Sequence, residues 1–352
     1  MTTIWPFKRI TIFEASPHGD AIQDLEWPEL HPIGGSETAS IRMAAALRHM
    51  GFEVELLTRP EKLAGHDCDV FIASRVWRHF HEGVRPGKLN YLWCHDDANA
   101  HAKTAFKDPA VSGRVLSQVT GMVFISYYQA HGWIDAFKIP ANKIVMSTNG
   151  VPYERFNVDE SQLAGRPRRA FYSSTPFRGL NLLLEAWPLI RQNVPGAELH
   201  VFSSMKVYHD EELPVFQELY RKATTLPGVV YHGSVGQAAL REAITQCRVL
   251  AYPCTFAETS CITAMEAMAA GCGVAAPSIG ALPETAWQNP VVPAGPQWYQ
   301  QWCVEVARLL GDNAYYAHVA RQNRAIARHY DWENVATRVL YRFRTDWMAH
   351  KG

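Results

Sequence analysis

Short apolar runs of strand length alternate with helical stretches along most of this chain, and few folds accept that pattern. Strands separated by helices pair in parallel and bury their sheet between helical layers. The alternation runs twice. Strands are expected at 9–15, 53–58, 69–74, 88–93, 121–126 and 143–147, and again at 169–173, 198–202, 229–232, 249–253 and 273–276. A polar loop spans 16–34, and a helix over 36–50 is stopped by Gly51, a residue tolerant of positive φ. Further helices are expected near 180–193, 211–224, 236–246 and 260–270, with Pro188 kinking or shortening the first. Beyond Pro296 the pattern is helical to about residue 346. Asn149-Gly150-Val151-Pro152 reads as a turn and a hinge. A length of 352 residues exceeds what one core usually serves. The expected fold class is therefore α/β, with two Rossmann-like domains and a cleft between them. In such folds ligands bind at the carboxyl ends of the strands.

Composition narrows the function. Lys+Arg and Asp+Glu both count 34, so no bulk charge recruits nucleic acid. No apolar run reaches the ~18 residues of a membrane span, and the start, MTTIWPFKR, lacks the apolar core of a secretion signal. The seven cysteines form no Cys-x-x-Cys pair, which favours reduced thiols and a cytoplasmic location.

The densest chemical signal is Glu258-Thr-Ser-Cys-Ile-Thr-Ala-Met-Glu266. Glu266 is the one charged residue between Cys261 and Pro283. A carboxylate in apolar surroundings needs donors, and sugar or ribose hydroxyls supply them. Thr259 or Ser260 is expected to cap the helix, whose start, with Cys261 and Ile262, offers N–H groups to phosphate. Glu266 is then placed about two turns on, ~9–12 Å along the axis. Gly34-Gly35 opens the first long helix, and its glycines let backbone N–H groups approach a diphosphate. Arg178, before Gly179, follows a strand and opens a helix, where a fixed cation can neutralise a leaving diphosphate. His95 ends a strand in Tyr-Leu-Trp-Cys-His-Asp-Asp. Taken singly, Gly34-Gly35 also reads as an ordinary turn, Arg178 as a solvated surface cation and His95 as a core or loop histidine. His95, Asp96, Asp97 and His101 are too irregularly spaced to be preferred as metal ligands. Asp67-Cys-Asp69 matches Asp-x-Asp but reads better as solvated carboxylates at the start of a strand. Arg75, Arg78, His79, His81, Arg85 and Lys88 form a modest basic segment, read as a hydrated loop in preference to a face for anionic lipid.

The segment Glu258–Val274, with Glu266-Ala-Met-Ala-Ala-Gly271 central, resembles the retaining glycosyltransferases of the GT-B fold, in the glycogen-synthase-like and sucrose-synthase-like group called family four. The resemblance extends to Gly280-Ala-Leu-Pro-Glu284 and departs at Gly273, where that family usually has Pro. It implies that Glu258 meets the donor sugar and Glu266 the ribose. It also implies that Gly34 and Gly35 face the donor phosphates, that Arg178 binds them, and that His95 touches the transferred sugar. A second basic residue of the family is replaced here by Ser173 and Ser174, whose hydroxyls stand in as donors. Asp331-Trp-Glu333 resembles the start of the family's helix that crosses back, so the expected domains are 1–165 with 331–352, and 166–330. The implied activity is retaining, metal-independent transfer of a hexose from a nucleoside-diphosphate sugar, with no cofactor, to a carbohydrate, glycolipid or other hydroxyl acceptor. Peripheral membrane contact fits a glycolipid acceptor. The alternatives are a nonhydrolysing sugar-nucleotide epimerase and an inactive sugar-nucleotide-binding protein. A dinucleotide oxidoreductase is disfavoured, because no Gly-x-Gly-x-x-Gly follows the first strand.

Overall fold

The computed structural model describes residues 4–208 and 212–351. The chain forms two compact units, one of Met1–Trp27, Gly35–Gly150 and Trp332–Gly352, the other of Pro28–Gly34 and Val151–Asp331. Each is built on a six-stranded sheet whose neighbours all pair in parallel.

Unit 1 holds β1 (Arg9–Glu14), β2 (Glu53–Leu57), β3 (Cys68–Ser74), β4 (Gly87–Trp93), β5 (Gly121–Phe124) and β6 (Ile144–Met146), in the order β2-β1-β3-β4-β5-β6. All seven residues of β3 are buried, as expected for a central strand covered on both faces. The loop after β1 is less irregular than expected. It carries a 3-10 turn at Gly19–Gln23 and a short helix at Trp27–Leu30 before the helix Gly35–His49. The C-terminal helix Trp332–Lys351 belongs to this unit. Its Phe343 packs on Tyr91 and its Trp347 on Phe7, and Tyr91 Oη donates to Asp346 at 2.7 Å.

Unit 2 holds β7 (Arg169–Ser173), β8 (Glu198–Phe202), β9 (Val229–Gly233), β10 (Val249–Ala251), β11 (Gly273–Pro277) and a two-residue β12 (Val291–Val292) that the sequence pattern did not reveal. Its order, β12-β11-β10-β7-β8-β9, is the doubly wound order of dinucleotide-binding sheets. The chain reverses its direction of strand addition between β7 and β10, and that junction is the expected ligand crevice. Pro188 does not shorten its helix, which runs unbroken over Leu180–Asn193. The ring of Pro188 lies on the exposed side of the helix, clear of the core. The helix expected at 211–224 is Pro214–Thr225, residue 211 lying outside the described residues.

The units divide at Gly150 and Val151, inside the Asn149–Pro152 turn, and not at 165 and 166. The cause is packing. Val151, Tyr153 and Phe156 enter the core of unit 2, and Leu163 packs with Tyr316 and Ala320. The seven-residue segment Pro28–Gly34 also belongs to unit 2. Glu29 accepts from Arg155 and from Arg241, each at 2.7 Å. A Cβ on Gly236 would lie 2.4 Å from the Glu29 carbonyl oxygen, so only glycine lets the segment lie this close.

Candidate active site

Two loops at the switch point of unit 2 build the candidate site. The first follows β7 and runs through a 3-10 turn, Pro176–Arg178, into the helix Leu180–Asn193. Gly179 joins them at φ +100°, and a Cβ there would lie 2.1 Å from the Pro253 carbonyl oxygen. A side chain would force the loops apart, so the glycine brings Arg178 against the second loop. That loop follows β10 and leads into the helix Ile262–Ala269.

Glu258 lies on the second loop and is 6% exposed. Tyr252 Oη donates to its Oε1 at 2.5 Å, and Arg178 Nε stands 3.4 Å from the same oxygen. Ser174 Oγ is 3.2 Å from Tyr252 Oη and accepts from Arg178 Nη1 at 3.4 Å. Ser173 contributes its carbonyl, which accepts from Thr263 Oγ1 at 2.8 Å and ties β7 to the helix start. The Glu258 backbone is fixed from below. Ala281 N donates to its carbonyl at 2.7 Å, and Gly280, at φ +60°, leaves no room for a Cβ against the Glu258 backbone.

Helix Ile262–Ala269 presents its start to this cluster. The expected cap is corrected here. Neither Thr259 nor Ser260 caps the helix; Cys261 is the N-cap and its side chain makes no capping bond. The Ser260 hydroxyl is buried and has no hydrogen-bond partner among the described residues. Glu266 is buried at 6% exposure but lies only four residues past the helix start, ~6 Å along the axis and not two turns away. The other end of the helix is occupied. Arg166 Nη1 donates to the Ala270 carbonyl at 2.7 Å, and Arg324 Nη1 to the Ala269 carbonyl at 2.5 Å. Cations therefore sit at the negative pole of the helix, and at its positive pole the Cys261 side chain makes no capping bond. At Gly273, the departure from the family pattern, a Cβ would meet the Leu309 side chain at 2.7 Å. The helix Trp298–Gly311 packs there in place of a proline ring.

Thus Glu258, Arg178 and Ser174 converge, Ser173 joins through its backbone, and Thr259, Ser260, Cys261, Ile262 and Glu266 lie on the adjoining helix and its approach. Two members went unseen in the sequence. Tyr252, 1% exposed, has its phenol pushed well above the ordinary range by burial and by the Glu258 charge. Cys254 Sγ lies 3.9 Å from Glu258, and burial raises its thiol to about 12, so it stays protonated. Nothing in YPC distinguishes these side chains from ordinary core.

Gly34 belongs to unit 2, whereas Gly35, the first residue of the helix Gly35–His49, and His95 belong to unit 1. His95 is buried beside Trp93, ring centroids 4.6 Å apart. Burial and then the Arg75 charge lower it to about 3 against the opposing pull of Asp96, so it is neutral at physiological pH. Gln129 Nε2 donates to the Cys94 and Asp96 carbonyls at 3.0 Å each and fixes the loop. Unit 1 also carries a buried carboxyl that the sequence pattern did not flag. Glu14 ends β1, accepts from Ser40 Oγ at 2.7 Å, and is raised to about 7 by burial.

Asp69 is not solvated, as the sequence suggested, but buried. Burial alone would raise it, yet the backbone N–H groups of Arg9 and Lys8, with Lys88, outweigh that and hold it at about 2. The basic segment is divided in the same way. His79 packs among Phe13, Phe71 and Phe80 and is lowered to about 4 by burial, while Lys88 and Arg75 pair with Asp69 and Asp96. Among the described residues no group of three or more His, Cys, Asp or Glu is arranged to hold a metal ion, and no helix is long and apolar enough to cross a membrane.

Residues 167–312, within unit 2, match the family model of the glycosyl transferases group 1. No curated protein matches the sequence. Among solved structures, sucrose-phosphate synthase from Thermosynechococcus elongatus is similar at a TM-score of 0.72 and 16% identity, covering 97% of this chain and 100% of that one. HepE from Anabaena, in complex with UDP and glucose, is similar at 0.71 and 16%, covering 96% and 100%. WaaG, a glycosyltransferase involved in lipopolysaccharide biosynthesis, is similar at 0.62 and 12%, covering 94% and 98%. These likenesses establish the fold: two Rossmann-like domains of the GT-B glycosyltransferase type.

Proposed function

We propose that this protein is a retaining glycosyltransferase, independent of metal and cofactor, that moves a hexose from a nucleoside-diphosphate sugar to an acceptor hydroxyl. One observation carries the reading. Arg178, Ser174 and Tyr252 converge on the buried Glu258 at the switch point of a doubly wound sheet, beside a helix start whose N-cap residue, Cys261, makes no side-chain capping bond. A diphosphate suits that place, since it meets a guanidinium and helix N–H groups together. Glu266, buried on the same helix, is assigned to the ribose hydroxyls. Glu258 is assigned to the transferred sugar, and His95 and Gly35 keep the ligand roles that the resemblance implies.

In the proposed step the acceptor oxygen bonds to the anomeric carbon on the face from which the diphosphate departs. The bond from that carbon to the phosphate oxygen breaks, and the acceptor proton passes to the departing diphosphate. Arg178 and the helix start stabilise the charge that grows on the leaving oxygen. Glu258 orients the sugar and is not a nucleophile in this scheme. HepE has been crystallised with UDP-glucose, which makes that donor the first to test. The seven cysteines are free thiols, which suits a cytoplasmic enzyme working where sugar nucleotides are made.

The test is a thermal-shift screen against UDP-, GDP- and ADP-sugars, followed by transfer assays with the best donor, with and without EDTA. Stabilisation by one donor and acceptor-dependent release of its diphosphate, unchanged by EDTA, are expected. Interconversion of the donor with no acceptor present would replace the reading with an epimerase. Binding without turnover on a broad acceptor panel would leave a sugar-nucleotide-binding protein, and no binding at all would overturn the assignment.

A further inference from the structure

Two phenyl rings close on Arg178 from different loops. Phe177 precedes it in the turn after β7, and Phe256 comes from the loop after β10. The guanidinium carbon lies 5.3 Å from the Phe177 ring centroid and 4.9 Å from that of Phe256. The rings meet edge to face at 5.9 Å and 71°. Both are unusually open for phenylalanine, at 40% and 42% exposure, while the Arg178 side chain between them is only 20% exposed. The rings thus remain at the surface and shield the cation.

We propose that Phe177 and Phe256 are positioning residues that hold the Arg178 guanidinium ready for the leaving diphosphate. The proposal rests on the reading of Arg178 given above. A guanidinium is planar, with its N–H donors in the plane and weakly hydrated faces. A ring face attracts the cation as a whole without consuming its N–H donors, which stay available for anions. Here the edges already reach Glu258 Oε1 and Ser174 Oγ, at 3.4 Å each. An arginine with this support loses fewer rotamers when phosphate arrives. The close approach of Gly179 to Pro253 is what brings the two rings within reach of one cation. This arrangement also gives a reason for the lone Arg178 where the resembled family carries a second basic residue: one held cation serves for two loose ones.

The experiment compares Phe177→Leu, Phe256→Leu and the double variant with Phe177→Tyr and Phe256→Tyr. Leucine keeps apolar bulk and removes the ring face; tyrosine keeps both. Calorimetry measures UDP and, as a phosphate-free control, uridine, with GDP and guanosine or ADP and adenosine taking their place if the screen selects another base. The double leucine variant should bind the diphosphate about 5- to 20-fold more weakly, with nucleoside affinity unchanged. The tyrosine variants should match wild type. Equal weakening of nucleotide and nucleoside would mean general damage to the loop and overturn the proposal, as would unchanged diphosphate affinity. If wild-type protein bound none of the three diphosphates, the glycosyltransferase reading itself would fall, and this one with it.

Discussion

Replacing Arg178 by methionine in the ligand-free protein should destabilise unit 2, and the size of the loss follows from the geometry. Arg178 Nε and Glu258 Oε1 are 3.4 Å apart. At an effective dielectric of about 20, two unit charges at that distance attract by about 5 kcal/mol. The arginine side chain is 20% exposed, so solvent screens part of this, and Tyr252 still donates to the carboxylate in the variant. A loss of about 2–3 kcal/mol is therefore expected, below the ~3–5 kcal/mol for a fully buried pair. For a unit of this size that lowers the melting temperature by about 4–12 °C. Glu258→Gln removes the charge that loss of the guanidinium leaves stranded. The double variant R178M/E258Q should be more stable than the sum of the single losses by at least about 1 kcal/mol. The assay is scanning calorimetry of wild type, both single variants and the double variant at neutral pH without nucleotide. Strict additivity would show that the two charges are not energetically joined, and the picture of a preformed Glu258 site would have to be given up.

Glu14, whose carboxyl is raised from 4.5 to about 7, should make unit 1 less stable as pH rises. The unfolded chain releases this proton first, so stability present below about pH 4.5 is lost through pH 7, by up to about 3 kcal/mol. Glu14→Gln should flatten that slope in urea titrations at pH 5 and 8, and a slope equal to wild type would refute it. Glu266→Ala is expected to weaken nucleoside-diphosphate binding by about 1–3 kcal/mol; unchanged affinity by calorimetry in a folded variant would move the ribose site elsewhere. Gly179→Ala puts a methyl 2.1 Å from a carbonyl oxygen at φ +100°, and should cost more than the ~1 kcal/mol of a simple glycine replacement. A melting temperature equal to wild type would mean that the two loops are not held in contact as described.

Periodicity carried most of the fold because it reports burial directly. β7 and β8 span the ranges expected, 169–173 and 198–202, whereas the two residues of β12 are too few to show a period. The Glu258 and Glu266 spacing was legible because a carboxylate stands out in an apolar run. The start of the intervening helix was not. Thr259 and Ser260 are good capping residues by type, but Gly280 and Ala281 hold the loop at Glu258 and the first helical residue comes at Ile262. Polar residues with long-range partners were misread most. His79 counted as basic and is a neutral member of an aromatic cluster. The buried Arg166, Arg248 and Arg324 give most of their hydrogen bonds to backbone carbonyls, which no side-chain pattern announces.

The chain passes between its two units at residues 27/28, 34/35, 150/151 and 331/332, and this has a consequence for biosynthesis. Unit 1 is interrupted for the whole length of Val151–Asp331 before its last helix is made. At ~5–20 residues per second, translation of that stretch takes roughly ten to forty seconds. Throughout that interval Tyr91 awaits the ring of Phe343, and Phe7, already packed on Trp5 and Phe52, awaits that of Trp347. A nascent chain of this design exposes a greasy flank until residues 332–351 have been made, and removing that helix should leave unit 1 sticky.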